Sequence, residues 1–194
     1  MFSLRGYYAI VDTTAALMAD SGALERRTRQ LLEAGPCCLQ LRAKQSGARA
    51  FAAAARRVLP LCRAAGVPFC VNDRLDVALA VGAEVVHLGQ DDLPLADALR
   101  VRAAAGRPDL LVGFSTHNAA QAAAAAAAGA DYLGFGPVFA TRSKLNPDPV
   151  VGSANWRRSA APSRFPWWQS AASRPQRPVC SLGPAPAPPR SSRR

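Results

Sequence analysis

The most constraining feature of this chain is an alternation. Six short apolar runs, at residues 7–12, 37–42, 68–72, 85–89, 110–115 and 132–138, are separated by helix-length segments. The helical segments are 24–34, 48–65, 75–81, 95–105 and an Ala-rich stretch that Asn118 caps. A glycine closes each of them: Gly35, Gly66, Gly82, Gly106 and Gly129. Strands that are almost continuously apolar, joined by helices, predict a parallel sheet covered by those helices. The polar residues sit at the strand C-termini, which fits a (β/α)8 TIM barrel better than an open doubly wound sheet. Only about six β/α units are encoded, and 194 residues fall short of the ~250 typical of that α/β barrel.

Composition removes several other readings. No apolar run approaches the ~18 residues of a membrane span, and the first residues lack a signal peptide's apolar stretch. A cytoplasmic protein with no membrane partner is expected. The net charge of +11 invites a nucleic-acid reading, but residues 150–194 hold eight arginines and no acidic residue. The body carries only +3, so nucleic acid is not the expected partner of the folded part. Cys37, Cys38, Cys62, Cys70 and Cys180 lack C-x-x-C spacing and read as buried free thiols. Oligomeric state, including a homo-oligomer, stays open.

Chemistry-bearing residues cluster where strands end. Gln40-x-Arg42-x-Lys44 puts three polar side chains at alternate positions, a planar fork and a point charge suited to a diphosphate, or else a solvated strand end. Asn72-Asp73 and Gln90-Asp91-Asp92 offer oxygen ligands from adjacent strands, as Mg²⁺ prefers, or else helix caps. His87, inside a strand, reads as a hydrogen-bonded structural residue rather than a general base. Ser115, Thr116 and His117 lead into a helix start suited to an anion, and Thr141-Arg142-Ser143-Lys144 follows strand six as a polar loop.

Taken together, these motifs resemble thiamine-phosphate synthase over residues 7–152. The resemblance lies in Gln40-Leu41-Arg42-Ala43-Lys44, Val71-Asn72-Asp73, the stretch Val86-His87-Leu88-Gly89-Gln90-Asp91-Asp92-Leu93, Gly113-Phe114-Ser115-Thr116-His117, Gly129-Ala130-Asp131-Tyr132 and Gly134-Phe135-Gly136-Pro137-Val138-Phe139. It implies a Mg²⁺-dependent transferase of thiamine biosynthesis. Such an enzyme joins 4-amino-2-methyl-5-pyrimidinylmethyl diphosphate to thiazole phosphate and releases pyrophosphate. It also implies roles: Asp73 and Asp92 as metal ligands; Gln40, Arg42, Lys44, Asn72, Ser115 and Lys144 at the pyrimidine diphosphate; Thr141 and Ser143 at the thiazole phosphate. Ser143 is a mild departure from the family's usual Thr. No separate acid or base is implied. A thiazole-tautomerase-like relative on the same fold is the competing enzyme, and the retained carboxylates and basic residues favour the synthase. An inactive remnant or a diphosphate-binding regulatory protein is the competing non-enzyme.

Past Gly152 the family pattern stops. The segment 153–194 is rich in Arg, Pro and Ser, with eight prolines in the last 45 residues, and by composition reads as a disordered tail after a 1–152 domain. Back-translated and read from the third base of each codon, residues 164–174 accommodate the seventh strand and phosphate loop that the family expects. A change of reading frame near Gly152 is the expected explanation. A barrel lacking strands seven and eight is expected to fold poorly and to turn over little.

Overall fold

The computed structural model describes residues 6–14, 17, 20, 22–137 and 167–169. Strands and helices alternate along it: β1 (Tyr8–Asp12), α1 (Ala23–Glu33), β2 (Cys38–Arg42), α2 (Ala48–Ala64), β3 (Phe69–Asn72), α3 (Leu75–Val81), β4 (Val85–Leu88), α4 (Leu95–Ala104), β5 (Leu111–Thr116), α5 (Ala119–Ala128), β6 (Tyr132–Phe135) and β7 (Trp167–Gln169). The sheet runs β1-β2-β3-β4-β5-β6-β7 with every neighbouring pair parallel. The six strands expected from the sequence are present, five of them within one residue of their expected ends, while β6 stops at Phe135, three residues short of 138. A short seventh lies beside β6, inside the segment read as tail. The rest of that segment, with Cys180 and the loop holding Thr141, Ser143 and Lys144, lies outside the described residues.

Local chemistry explains the element ends. The Asn118 carboxamide oxygen accepts the Gln121 N–H at 2.9 Å, satisfying a donor that the first turn of α5 leaves open. Gly82 and Gly129 end α3 and α5 in the left-handed region, at φ 73° and 96°, where a side chain would be strained.

Strand alternation divides the core in two. One face carries Leu39, Leu41, Phe69, Val71, Val86 and Leu133, which pack on Leu24, Phe51, Val58 and Cys62 of the helices to form the main core. The other face gathers Cys38, Cys70, Val85 and Tyr132, with Tyr8 and Leu111 against them. Tyr8 of β1 and Tyr132 of β6 touch across this inner face, their hydroxyls 3.2 Å apart. Five strand spacings in a flat sheet would separate them by about 24 Å, so the sheet is curled into most of a barrel wall. Among the described residues β1 has one strand neighbour, β2. Ile10, of the inner face by its alternation with Tyr8, is accordingly 50% exposed.

At the strand N-termini a carboxylate clamp appears twice. Glu84, just before β4, accepts the Phe69 N–H at 3.1 Å and pairs with Arg63 of α2 at 2.9 Å. Asp131, just before β6, accepts the Val112 N–H at 2.8 Å and pairs with Arg102 of α4 at 2.7 Å. Each clamp ties a strand start to the helix preceding it. The opposite rim is left for chemistry.

Candidate functional site

Strands β1 to β5 deliver polar groups to the C-terminal rim. Asp12 and Arg42 are register partners at the ends of β1 and β2, and their side chains pair at 2.5 Å. Thr13 fixes the same corner, its N–H and Oγ1 both donating to the Arg42 carbonyl. Arg42 is mostly buried, so Asp12 holds the guanidinium in one place before any ligand arrives. Lys44 lies beyond the last residue of β2, in the loop, and reaches Asp73 with Nζ to Oδ2 at 2.9 Å. Strict strand alternation therefore orients Gln40 and Arg42, whereas the loop path brings in Lys44.

Asp73 has a left-handed backbone, φ 63°, unusual for a residue with a side chain. Its N–H donates to the His87 carbonyl at 2.7 Å, which carries the β3–β4 ladder one step past the strand end. That turn points the carboxylate at Lys44 and at Asp92. The Asp92 Oδ2 accepts the Gly89 N–H at 2.6 Å, closing the loop after β4. Burial pushes the Asp92 carboxyl up to about 6. The Gly89 N–H and the Lys44 charge pull it down, while the hydrogen bond and charge of the neighbouring Asp73 carboxyl add to the rise. Two carboxyl groups in contact, one of them reluctant to ionise, make the arrangement that a hard divalent cation relieves. Neither residue is a side-chain helix cap: the residues preceding α3 and α4, Arg74 and Pro94, make no such bond. Asp91 is exposed beside them.

Behind this rim the remaining expected residues join a buried polar layer. Asn72 is 7% exposed and Gln40 3%. Gln40 Nε2 donates to the Tyr8 hydroxyl at 3.0 Å and lies 3.7 Å from the Cys70 sulfur. Ser115 Oγ meets His87 Nε2 at 2.8 Å, and His87 Nδ1 meets the Tyr132 hydroxyl at 3.0 Å. His87 is thus bonded on both sides, as expected of a structural histidine. His117 instead bonds the Gly136 carbonyl through Nδ1 and takes the Gln121 side-chain oxygen on its N–H, so it serves the β5–α5 turn. Burial pushes the Tyr8, Tyr132 and Cys38 groups up, so all three stay protonated. Burial also opposes ionisation of Cys70, but the hydrogen bonds from Cys38, Tyr8, Gln40 and Tyr132 prevail and draw it down. Cys37, Cys38, Cys62 and Cys70 are free thiols, the last three buried, as their spacing suggested.

Three participants were not legible in advance. Asp12 was visible only as a carboxylate ending a strand, and nothing in the sequence links it to Arg42. Tyr8 and Tyr132 read as strand formers. Their inward parity was available from alternation, but contact between the first and sixth strands depends on the curl.

The thiamine monophosphate synthase family model matches residues 7–176, past the 152 at which the sequence motifs run out. The thiamine-phosphate synthase of Laribacter hongkongensis is 48% identical over 163 residues, covering 81% of this chain and 75% of that protein. That of Chlorobium phaeovibrioides is 46% identical over 125 residues, 64% of this chain and 58% of its own length. Among solved structures, thiamine phosphate pyrophosphorylase from Pyrococcus furiosus superposes with a TM-score of 0.71 at 31% identity, covering 86% of this chain and 74% of that one. The chain therefore spans about three quarters of one synthase and little more than half of another. With a family match across most of its length, on the fold that its strand order builds, this chain belongs to the thiamine monophosphate synthase family.

Proposed function

We propose that the chain carries the diphosphate half of a thiamine-phosphate synthase site. In the full reaction, the pyrimidinylmethyl diphosphate loses pyrophosphate and the thiazole nitrogen captures the resulting pyrimidinylmethyl cation. The observation that supports this reading best is the Lys44–Asp73–Asp92 cluster beside Arg42. Asp73 and Asp92 would hold Mg²⁺, whose contribution is to neutralise charge on the departing pyrophosphate. Arg42 and Lys44 stabilise the same oxygens, the first as a fork pre-set by Asp12, the second as a point charge. Gln40, Asn72 and Ser115 contact the pyrimidine diphosphate and orient it. The thiazole nitrogen carries a lone pair and no proton, so the step needs positioning rather than a general base.

Lys144 belongs with the diphosphate contacts and Thr141 and Ser143 with the thiazole phosphate in this proposal. The domain is residues 1–152, with 153–194 a tail that arises from a frame change near Gly152. Such a chain binds the first substrate and turns over little, because the loops after strands seven and eight of a closed barrel supply much of a phosphate site, and β7 here is only three residues long. Calorimetric titration with the pyrimidine diphosphate, with and without Mg²⁺, tests the first part: Mg²⁺-dependent binding is expected, and its absence sinks the reading. Adding thiazole phosphate tests the second, since rapid thiamine phosphate formation by the 194-residue chain would overturn the idea of a lost second half. Sequencing the DNA across codons 150–175 tests the third, where an uninterrupted frame, with the tail confirmed by mass spectrometry, ends the frame-change proposal.

A further inference from the structure

Five polar side chains form a hydrogen-bonded line across the inner face of the sheet, with the Cys70 sulfur beside it at 3.7 Å from Gln40 Nε2 and 3.9 Å from the Tyr132 hydroxyl. It runs from Gln40 Nε2 to the Tyr8 hydroxyl at 3.0 Å and on to the Tyr132 hydroxyl at 3.2 Å. From there it reaches His87 Nδ1 at 3.0 Å, and His87 Nε2 meets Ser115 Oγ at 2.8 Å. The proposed reaction gives Gln40 and Ser115, the two ends, a reason to be there. It gives the three groups between them none.

Chemistry lends the line a direction. Gln40 Nε2 only donates, so the Tyr8 oxygen accepts there and its own proton passes onward. Burial keeps both phenols protonated. A phenol is a good donor and a poor acceptor, because its lone pair is delocalised into the ring, whereas an unprotonated imidazole nitrogen is a good acceptor. The Cys70 sulfur also lies beside both phenols, 3.9 Å from the Tyr132 hydroxyl, but a thiol sulfur is a weak acceptor. With the imidazole neutral, Nδ1 at 3.0 Å takes the Tyr132 proton, and Tyr8 gives its own to Tyr132 or to Cys70. A neutral imidazole that accepts at Nδ1 carries its proton on Nε2. That proton is donated to Ser115 Oγ, and the serine's own proton must leave the contact.

The rings are held as well as bonded. A Cβ built on Gly113 would lie 2.0 Å from Cζ of Tyr132, and one on Gly134 would lie 3.1 Å from Cε1 of His87. Each ring lies against the backbone of a glycine on the neighbouring strand, most tightly Tyr132 against Gly113, which limits its movement on that side.

We propose that His87 is a positioning residue for Ser115: the Tyr8–Tyr132 pair locks the imidazole in its Nε2–H tautomer, which turns the Ser115 hydroxyl into a donor aimed at an anionic ligand on the strand-end rim. What that donor serves rests on the diphosphate reading given above; the tautomer does not.

The test has two arms on the 194-residue chain. Nitrogen-15 NMR of labelled histidine reports the tautomer without any ligand, the His87 signals being those missing from His87→Gln. A protonated Nε2 with an acceptor Nδ1 is expected, and Tyr132→Phe should loosen that preference. An Nδ1–H ring, or an exchange-averaged one in the wild type, overturns the proposal. The second arm measures Mg²⁺-supported affinity for the pyrimidine diphosphate. Glutamine places its amide nitrogen near the position of Nε2, asparagine near that of Nδ1. His87→Gln should bind within about threefold of wild type, and His87→Asn roughly tenfold more weakly or worse, at matched thermal stability. Equal affinities for the two variants would overturn the orienting role. An Nε2–H signature in a wild-type chain that binds no diphosphate supports the tautomer lock and removes the diphosphate reading instead.

Discussion

Tyr132 occupies the space that any side chain on Gly113 would need. The two are register partners on β5 and β6, and a Cβ on Gly113 would come within 2.0 Å of the Tyr132 ring. The ring is buried and bonded to His87 and Tyr8, so it has nowhere to yield. Gly113→Ala should therefore destabilise the fold by ~1–3 kcal/mol, the usual cost of overpacking a tight interior. Gly134→Ala meets His87 at 3.1 Å and should cost less. Denaturant unfolding of the two variants measures both, and an equal or reversed order would contradict the packing described.

The carboxylate rim predicts a division between metal binding and folding. Asp92→Asn and Asp73→Asn each keep the side-chain size, and asparagine tolerates the left-handed backbone of residue 73 well. Both should remain folded. Each should weaken Mg²⁺-dependent diphosphate binding by roughly tenfold or more, since interactions with a charged group are worth ~1.5–3 kcal/mol. Unchanged Mg²⁺ dependence in calorimetry would remove these two residues from the site.

Asp92 also sets a pH dependence. Its folded-state value of about 6 lies above the ordinary carboxylate value, so the folded chain binds the extra proton. That contribution to stability is fully present below about pH 4 and is lost as pH rises through about 6. Mg²⁺ competes with the same proton, so metal affinity should fall as pH drops through about 6. Wild-type thermal unfolding from about pH 4 to pH 7, compared with Asp92→Asn, isolates the first effect, because the asparagine variant cannot titrate there. Calorimetric Mg²⁺ binding over the same range isolates the second.

At the opposite rim, Asp131→Ala should cost stability without touching ligand affinity. It removes the acceptor of the Val112 N–H and the partner of Arg102 in one step. A half-buried donor left without its acceptor costs ~1–3 kcal/mol. Chemical unfolding checks the loss, and diphosphate affinity per folded molecule should stay level.

Much of this architecture was legible in the sequence because its causes are local. Apolar runs and the glycines after the helices placed six strands and five helices close to where they lie, with only the end of β6 missed by as much as three residues. The motif residues Gln40, Arg42, Lys44, Asn72, Asp73, Asp92 and Ser115 come to the C-terminal rim or to the layer just beneath it. Lys44 was assigned to a strand face because alternation was extended two residues beyond the end of β2. The short β7 was missed because an Arg- and Pro-rich segment carries no strand period, and only pairing with β6 defines it.

The sequence by itself determined the element order, the parallel sheet and the family, since strand alternation and helix stops act over a few residues. Only the tertiary structure decided which side chains meet. The curl of the sheet brings Tyr8 to Tyr132 and, through it, to His87, and strand register sets Asp12 against Arg42. The left-handed turn at Asp73 aims its carboxylate at Lys44 and Asp92. These contacts join residues far apart in the chain, and their energies exist only once the strands lie side by side.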